Sequence, residues 1–194
     1  MRVVGGIWKG RVIDAPPGRE TRPTTDRTRE SIASSVLSFF DLSLEGVRML
    51  DAFAGSGAFG IEMLSRGAAY CTFIDADRRS IQVVKKNLAG LKVPPTQYRI
   101  VCADTYKSAD TLAVQGTFFD LVFLDPPYAT SAEKVGRLVT SLHDAECARM
   151  GTIVVYERSA SAPQLDLPFL ELVRTKKLGE TSIDYYRIGD DGEH

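Results

Sequence analysis

The sequence predicts an α/β protein: a mainly parallel sheet covered by helices, closed by an antiparallel hairpin and preceded by a short N-terminal β-hairpin/helix extension. Three observations carry this. From residue 47 onward, short apolar runs alternate with helix-period stretches, the pattern of parallel strands buried on both faces. A glycine-rich turn at residues 55–60 joins the first of these runs to the first of these helices. Near the end, two strand-like runs are separated only by Gly179-Glu180.

Taken in order, residues 3–13 alternate apolar and polar around Gly5-Gly6 and Gly10, which predicts a short hairpin or two edge strands. Ala15-Pro16-Pro17-Gly18 is a turn or linker. Arg22-Pro23-Thr24-Thr25-Asp26 is extended before Pro23 and offers N-cap residues after it. A helix with Ile32, Val36, Leu37 and Phe40 on one face follows. Strands are expected at 47–52, 70–75, 98–102, 120–124 and 152–156, all buried. Helices are expected at 60–66, 78–91, 105–115 and 131–145. The hairpin pairs 170–178 with 181–188. The first 45 residues have too few apolar side chains for a core of their own, so 1–194 is read as one domain, with 1–45 as an extension and 46–190 as its main body.

Composition is that of an ordinary globular chain, 44% hydrophobic and 25% charged. No apolar run approaches the roughly 18 residues of a membrane span. The N-terminus lacks the apolar stretch of a secretory signal, so no membrane association and a cytoplasmic location are expected. The cysteines, Cys71, Cys102 and Cys147, are odd in number and widely spaced, which excludes a disulfide framework and predicts no metal site. Cys71 and Cys102 lie in apolar runs and read as buried small hydrophobes. His143 and His194 are isolated. The net charge of -1 carries no global nucleic-acid signature, but residues 1–30 hold seven Arg or Lys against four acids. Such an arm suits phosphate contacts or a solvated surface equally well.

Two motifs carry the chemistry. Asp51-Ala52-Phe53-Ala54-Gly55-Ser56-Gly57-Ala58-Phe59-Gly60 follows a strand and opens a helix. Its glycines at 55, 57 and 60 permit a tight turn and close approach of a ligand, and Asp75 follows at the distance expected of an acid that holds ribose hydroxyls. An adenosine-containing cofactor is implied, with a nicotinamide dinucleotide as rival. The second motif, Asp125-Pro126-Pro127-Tyr128, ends a buried strand. Two prolines fix the backbone and leave carbonyl acceptors without competing N–H donors. Asp125 adds a carboxylate acceptor and Tyr128 a flat face. Acceptors beside a stacking ring suit a planar base that presents an NH2 group, and a dehydrogenase has no evident use for them.

Together with Val3–Arg11 and the block Arg22-Pro23-Thr24-Thr25-Asp26-Arg27-Thr28-Arg29-Glu30, these motifs resemble the RsmD-like guanine-N2 methyltransferases of small-subunit (16S) ribosomal RNA. The resemblance covers nearly the whole chain in order; residues 157–194 carry no matching motif. It implies a Rossmann-like S-adenosylmethionine-dependent methyltransferase fold with a seven-stranded sheet, a nucleic-acid-binding transferase of rRNA processing, and a ribosomal particle as the setting, with no obligate protein partner evident. Asp51, Gly55, Ser56 and Gly57 would hold the methionine part of S-adenosylmethionine, and Asp75 the ribose. Asp104 would hold the adenine amino group, with Ala76 and Ala103 lining that pocket; Asp104 also reads as a helix N-cap. Asp125 and the Pro126 carbonyl would accept the two amine hydrogens, Pro127 would fix the turn, and Tyr128 would stack on the base. Lys9, Arg11, Arg22, Arg27 and Arg29 would contact RNA, although Arg29 also suits bracing or pairing within the protein. The nearest alternative is a DNA adenine-N6 methyltransferase, which carries the same tetrad. A protein-glutamine methyltransferase typically has Asn in place of Asp125, and a non-catalytic RNA-binding module would need only the basic arm.

Overall fold

The computed structural model describes residues 1–16, 26–109, 112 and 117–190. Its strands are β1 (Arg48–Asp51), β2 (Tyr70–Asp75), β3 (Tyr98–Cys102), β4 (Phe119–Leu124), β5 (Ala148–Ser159), β6 (Leu170–Leu178) and β7 (Thr181–Ile188). The helices are α1 (Asp26–Leu37), α2 (Ala58–Ser65), α3 (Arg78–Gly90) and α4 (Ala132–Asp144). The strands form one seven-stranded sheet in the order β3-β2-β1-β4-β5-β7-β6. The chain divides into two compact units, Met1–Ala103 and Asp104–His194.

In the first unit, β1, β2 and β3 pair in parallel, Asp51 beside Phe73 and Asp75 beside Cys102. β1 and β2 are buried almost throughout because helices cover them; α2 is itself buried from Phe59 to Ser65. α3 is amphipathic, burying Ile81, Val84 and Leu88 at helical spacing, and starts at Asp77, whose side chain accepts from the Arg79 N–H. The predicted N-terminal hairpin is reduced to one antiparallel bridge, Arg2 to Val12, around a 3-10 turn at Gly6–Trp8. α1 stops at Leu37, so Phe40 falls outside the helix; Asp41 and Leu42 take positive φ directly after it.

Two expectations are corrected here. β3 is half-buried rather than buried, and Cys102 is exposed rather than a core residue. The cause is position: β3 is an edge strand with β2 as its one neighbour in the sheet. Cys71, on the inner strand β2, is buried as expected.

In the second unit, β4 and β5 pair in parallel, while β5–β7 and β7–β6 are antiparallel. Gly179 supplies the positive φ (66°) that a two-residue hairpin turn needs. β5 is 12 residues long, far beyond the five-residue core expected. Sequence polarity hid its ends: Arg149 and Gly151 interrupt the apolar run at one side, Glu157 and Arg158 at the other. Pairing to β7 extends it through Ser159, and Gly151, at φ 88°, lets it bend where its register with β4 shifts. α4 follows the predicted span, with Ser131 capping it by accepting from Lys134 N–H. The helix expected at 105–115 begins as a 3-10 turn, Thr105–Lys107; its later part lies largely outside the described residues.

One polar network fixes the hairpin. Arg158 and Asp184 form a buried ion pair, and Asp184 also accepts from Thr175 Oγ1 at 2.7 Å and Gln164 Nε2 at 3.3 Å. Alternation puts Tyr156, Arg158 and Asp184 on one face of β5–β7 and Val155, Glu157 and Ile183 on the other.

Candidate active site

In the first unit, the glycine motif folds as a hydrogen-bonded turn after β1. Gly55 and Gly57 have φ of 55° and 76°, which L side chains rarely adopt. Gly57 N–H donates to the Ala54 carbonyl at 2.6 Å and is the N-cap of α2. Gly60 serves packing: a Cβ there would sit 2.3 Å from Phe73 Cε1 and 2.7 Å from Cys71 Sγ, so only glycine lets α2 lie this close to β2. Asp51 is 2% exposed and accepts from Gly60 N–H at 3.0 Å, which ties the strand end to the helix start.

Asp75 ends β2 and is 5% exposed. Its Oδ2 accepts from Gly55 N–H and its Oδ1 from Asp77 N–H, both at 2.8 Å. The acid thus holds the glycine turn in place from both carboxylate oxygens. Ala76, next along the chain, is exposed; Ala103 is half-buried and donates its N–H to the Asp75 carbonyl at 3.2 Å. Glycines of positive φ, an acid braced against them and a helix N-terminus are a donor set that fits a nucleoside cofactor.

The N-terminal arm packs against this turn, a contact sequence reasoning missed. Asn87, 5% exposed on α3, accepts from Asp14 N–H at 2.8 Å and donates to the carbonyls of Asp14 (3.0 Å) and Ser56 (2.9 Å). Ser56 Oγ donates to Met1 Sδ at 3.5 Å. The available signal was an amide within the apolar stripe of α3. At the other end of the arm, Ser65 Oγ donates to the Gly5 carbonyl at 2.6 Å and accepts from Trp8 N–H at 3.0 Å, while buried Glu62 accepts from Val4 N–H at 2.8 Å.

The basic residues divide. Lys9, Arg11 and Arg27 are exposed, and Arg11 also donates to the Gly90 carbonyl at 3.1 Å. Arg22 and the rest of its Arg-Pro-Thr-Thr block lie outside the described residues. Arg29 does not sit where RNA could reach it: it is 3% exposed, pairs with Asp26 at 2.6 Å and donates to the Arg2 carbonyl at 2.7 Å. Asp26, also bonded by Arg2, has its carboxyl held below the usual range by that hydrogen bond first and by Arg29 in addition. Arg29 is therefore an internal brace between α1 and the arm.

In the second unit, Asp104 is exposed and its side chain accepts from Tyr106 N–H at 3.1 Å, the capping position foreseen as its other reading. The Asp125–Tyr128 corner follows β4 directly. Asp125 and Pro127 are exposed and Pro126 is half-buried, while the Pro127 carbonyl accepts from Thr130 N–H at 2.8 Å to close the turn. Tyr128 is 61% exposed, an aromatic face presented to solvent, and its hydroxyl lies 3.5 Å from Thr181 Oγ1 at the start of β7.

Sequence reasoning passed over the neighbour of this corner. Leu124 pairs with Tyr156, so the next residues along the parallel strands, Asp125 and Glu157, emerge side by side. Glu157 is 8% exposed and its Oε2 has no hydrogen-bond partner. Burial, and after it the charge of Asp125, push the Glu157 carboxyl up to about 8. The strands' carboxyl ends thus present one exposed acid and one buried acid whose charged form is disfavoured by burial and by its neighbour.

A family described as "Conserved hypothetical protein 95" matches residues 1–187. The chain is 37% identical over 191 residues to "Putative rRNA methyltransferase YlbH" of Bacillus subtilis, covering 96% of this chain and 98% of that protein. It is 41% identical over 128 residues to "Ribosomal RNA small subunit methyltransferase D" of Escherichia coli strain K12, a match spanning 66% of this chain and 60% of that protein's length. The solved structure "Putative methyltransferase yhhF from Escherichia coli" superposes with a TM-score of 0.78 at 30% identity, covering 97% of this chain and 98% of that one. With the glycine turn, the aspartate–diproline–tyrosine corner and a profile match along nearly its full length, the chain belongs to the RsmD-like family.

Proposed function

We propose that this chain is an S-adenosylmethionine-dependent methyltransferase of small-subunit ribosomal RNA, and that the acceptor is the exocyclic N2 of a guanine. The observation that carries the reading is the corner after β4, where an exposed carboxylate, a fixed diproline and an exposed aromatic ring stand together. The names of the two rRNA methyltransferases it resembles support the ribosomal substrate, and they favour it over the adenine-N6 DNA alternative.

Each residue has a chemical task. Asp51 and the turn Gly55-Ser56-Gly57 hold the methionine portion of the cofactor, and Asp75 its ribose. Asp104, with Ala76 and Ala103, takes the adenine. S-adenosylmethionine, when bound, supplies an electrophilic methyl on a sulfonium. The guanine amine is a poor nucleophile because its lone pair is delocalised into the ring. Hydrogen bonds from its N–H groups to Asp125 and the Pro126 carbonyl localise that pair and orient it, and Tyr128 stacks on the base. Catalysis would then be orientation plus electrostatics: the N–C bond would form as the methyl–sulfur bond breaks, its electron pair staying on sulfur, and the amine would then lose one proton. The RNA-facing residues are Lys9, Arg11 and Arg27, with Arg22 beside them in sequence.

The test separates chemistry from cofactor binding. Asp125→Ala should lower methyl transfer to ribosomal RNA by about 100-fold or more, since the amine loses its charged acceptor. Calorimetry should find S-adenosylmethionine affinity within about twofold of wild type. Near-normal turnover in this variant would remove Asp125 from the mechanism.

A further inference from the structure

We propose that Glu157 is a second contact for the acceptor base and reads the ring N–H that lies beside the amino group to be methylated. The proposal rests on the guanine reading above and deepens it. Its basis is placement: Glu157 follows Tyr156 on β5 as Asp125 follows Leu124 on β4, and these two strands run parallel in register. Continuing that register past Leu124 brings Asp125 beside Glu157, near enough for its charge to act on the Glu157 carboxyl, and Ile183 lies opposite Glu157 on β7. Tyr128 reaches the same end of β7 through Thr181. The nearby cation, Arg158, points to the opposite face and is taken by Asp184.

Glu157 is a buried acid with an unpartnered oxygen, no structural cation of its own among the described residues and an exposed acid beside it. Leaving a buried polar atom unsatisfied is costly, and at the carboxyl end of these strands, beside Asp125, a bound base can supply the partner. The chemistry of the bases says which partner fits. The amine of adenine is flanked by a ring nitrogen that accepts, and so is that of cytosine. The 2-amine of guanine is flanked by N1–H, a donor. Asp125 takes an amine hydrogen; a neutral Glu157 beside it donates its O–H to the Asp125 carboxylate and accepts N1–H on its carbonyl oxygen. Only guanine supplies two adjacent donors to two adjacent carboxyls, and the neutral acid avoids placing two negative charges against one base.

The experiment pairs a protein change with a base change. After wild-type protein has labelled ribosomal RNA and the methylated position is mapped, that guanosine is replaced by 2-aminopurine, which keeps the 2-amine but lacks N1–H. Wild-type kcat/KM should fall about 10- to 100-fold on the altered RNA. Glu157→Leu should lose a similar factor on guanosine and then discriminate less than about threefold between the two substrates. Glu157→Gln, whose amide offers the same acceptor and donor, should stay within about tenfold of wild type. Glu157→Met gives the same reading should the leucine variant fail to fold, with S-adenosylmethionine affinity as the check on folding. Apolar variants that retain full activity, or still reject 2-aminopurine as wild type does, would overturn the role of Glu157 while leaving guanine-N2 methylation intact. A wild-type product on adenine would instead overturn the guanine reading, and this contact with it.

Discussion

Asp125 and Glu157 stand one strand apart, and the fold treats them in opposite ways: Asp125 is exposed and Glu157 is 8% exposed. That difference has a consequence for stability. The Glu157 carboxyl is raised to about 8 by burial and by Asp125. An unfolded glutamate ionises near pH 4.3. Between these values the unfolded chain has lost the proton and the folded chain still holds it, so folding stability falls as pH rises through this window and levels off above it. Glu157→Gln removes that titration. Urea unfolding of wild type and variant at pH 5, 7 and 9 should show the stability difference moving steadily in favour of glutamine. A difference that stays constant across the three would mean that Glu157 is ionised at neutral pH. The acids at strand ends were legible in sequence where a motif marked them, as at Asp51, Asp75 and Asp125. Glu157 sits in Val154-Val155-Tyr156-Glu157-Arg158 with no motif around it; only the β4–β5 register reveals its neighbour.

At the scale of elements, the N-terminal arm is the part whose glycines have a clear physical reason. A Cβ on Gly6 would lie 1.8 Å from the Ser65 carbonyl oxygen, and the backbone there has φ 74°. Gly10 shares the positive φ, at 83°, but faces open space. Gly6→Ala should therefore destabilise by about 2–4 kcal/mol or detach the arm from α2, whereas Gly10→Ala should cost about 1 kcal/mol of backbone strain alone. Denaturation together with hydrogen exchange at Trp8 N–H, which bonds Ser65 Oγ, would distinguish the two; equal costs would contradict the close approach. Strand and helix positions were legible wherever period and length agreed, as in β2, α3 and the closing hairpin, whose strands β6 and β7 fall where the sequence put them. Misreadings came from tertiary context. β3 looked like an inner strand by composition, yet it lies at an edge. The polar ends of β5 concealed a strand that pairing on both sides holds together.

Across the whole molecule, a net charge of -1 conceals a basic arm, and the structure sorts that arm's cations by use. Arg29 is buried with Asp26, while Lys9, Arg11 and Arg27 face solvent. Charge counting in sequence could not separate a brace from a phosphate contact, because only burial does. If Lys9 and Arg27 meet phosphates, replacing both by glutamine should weaken RNA binding and reduce the slope of log affinity against log salt by about 1–2, because fewer counterions are released. Binding titrations from low to moderate salt would measure it, with S-adenosylmethionine affinity unchanged; an unaltered slope would move the RNA surface elsewhere. Guanine-N2 methylation is read most directly from the product. Protein is incubated with methyl-labelled S-adenosylmethionine and either naked small-subunit ribosomal RNA or isolated small subunits, and the RNA is digested to nucleosides. The expected label is in N2-methylguanosine, in at least one of the two substrates. Label in N6-methyladenosine, or none in either substrate from protein that binds S-adenosylmethionine, would contradict it.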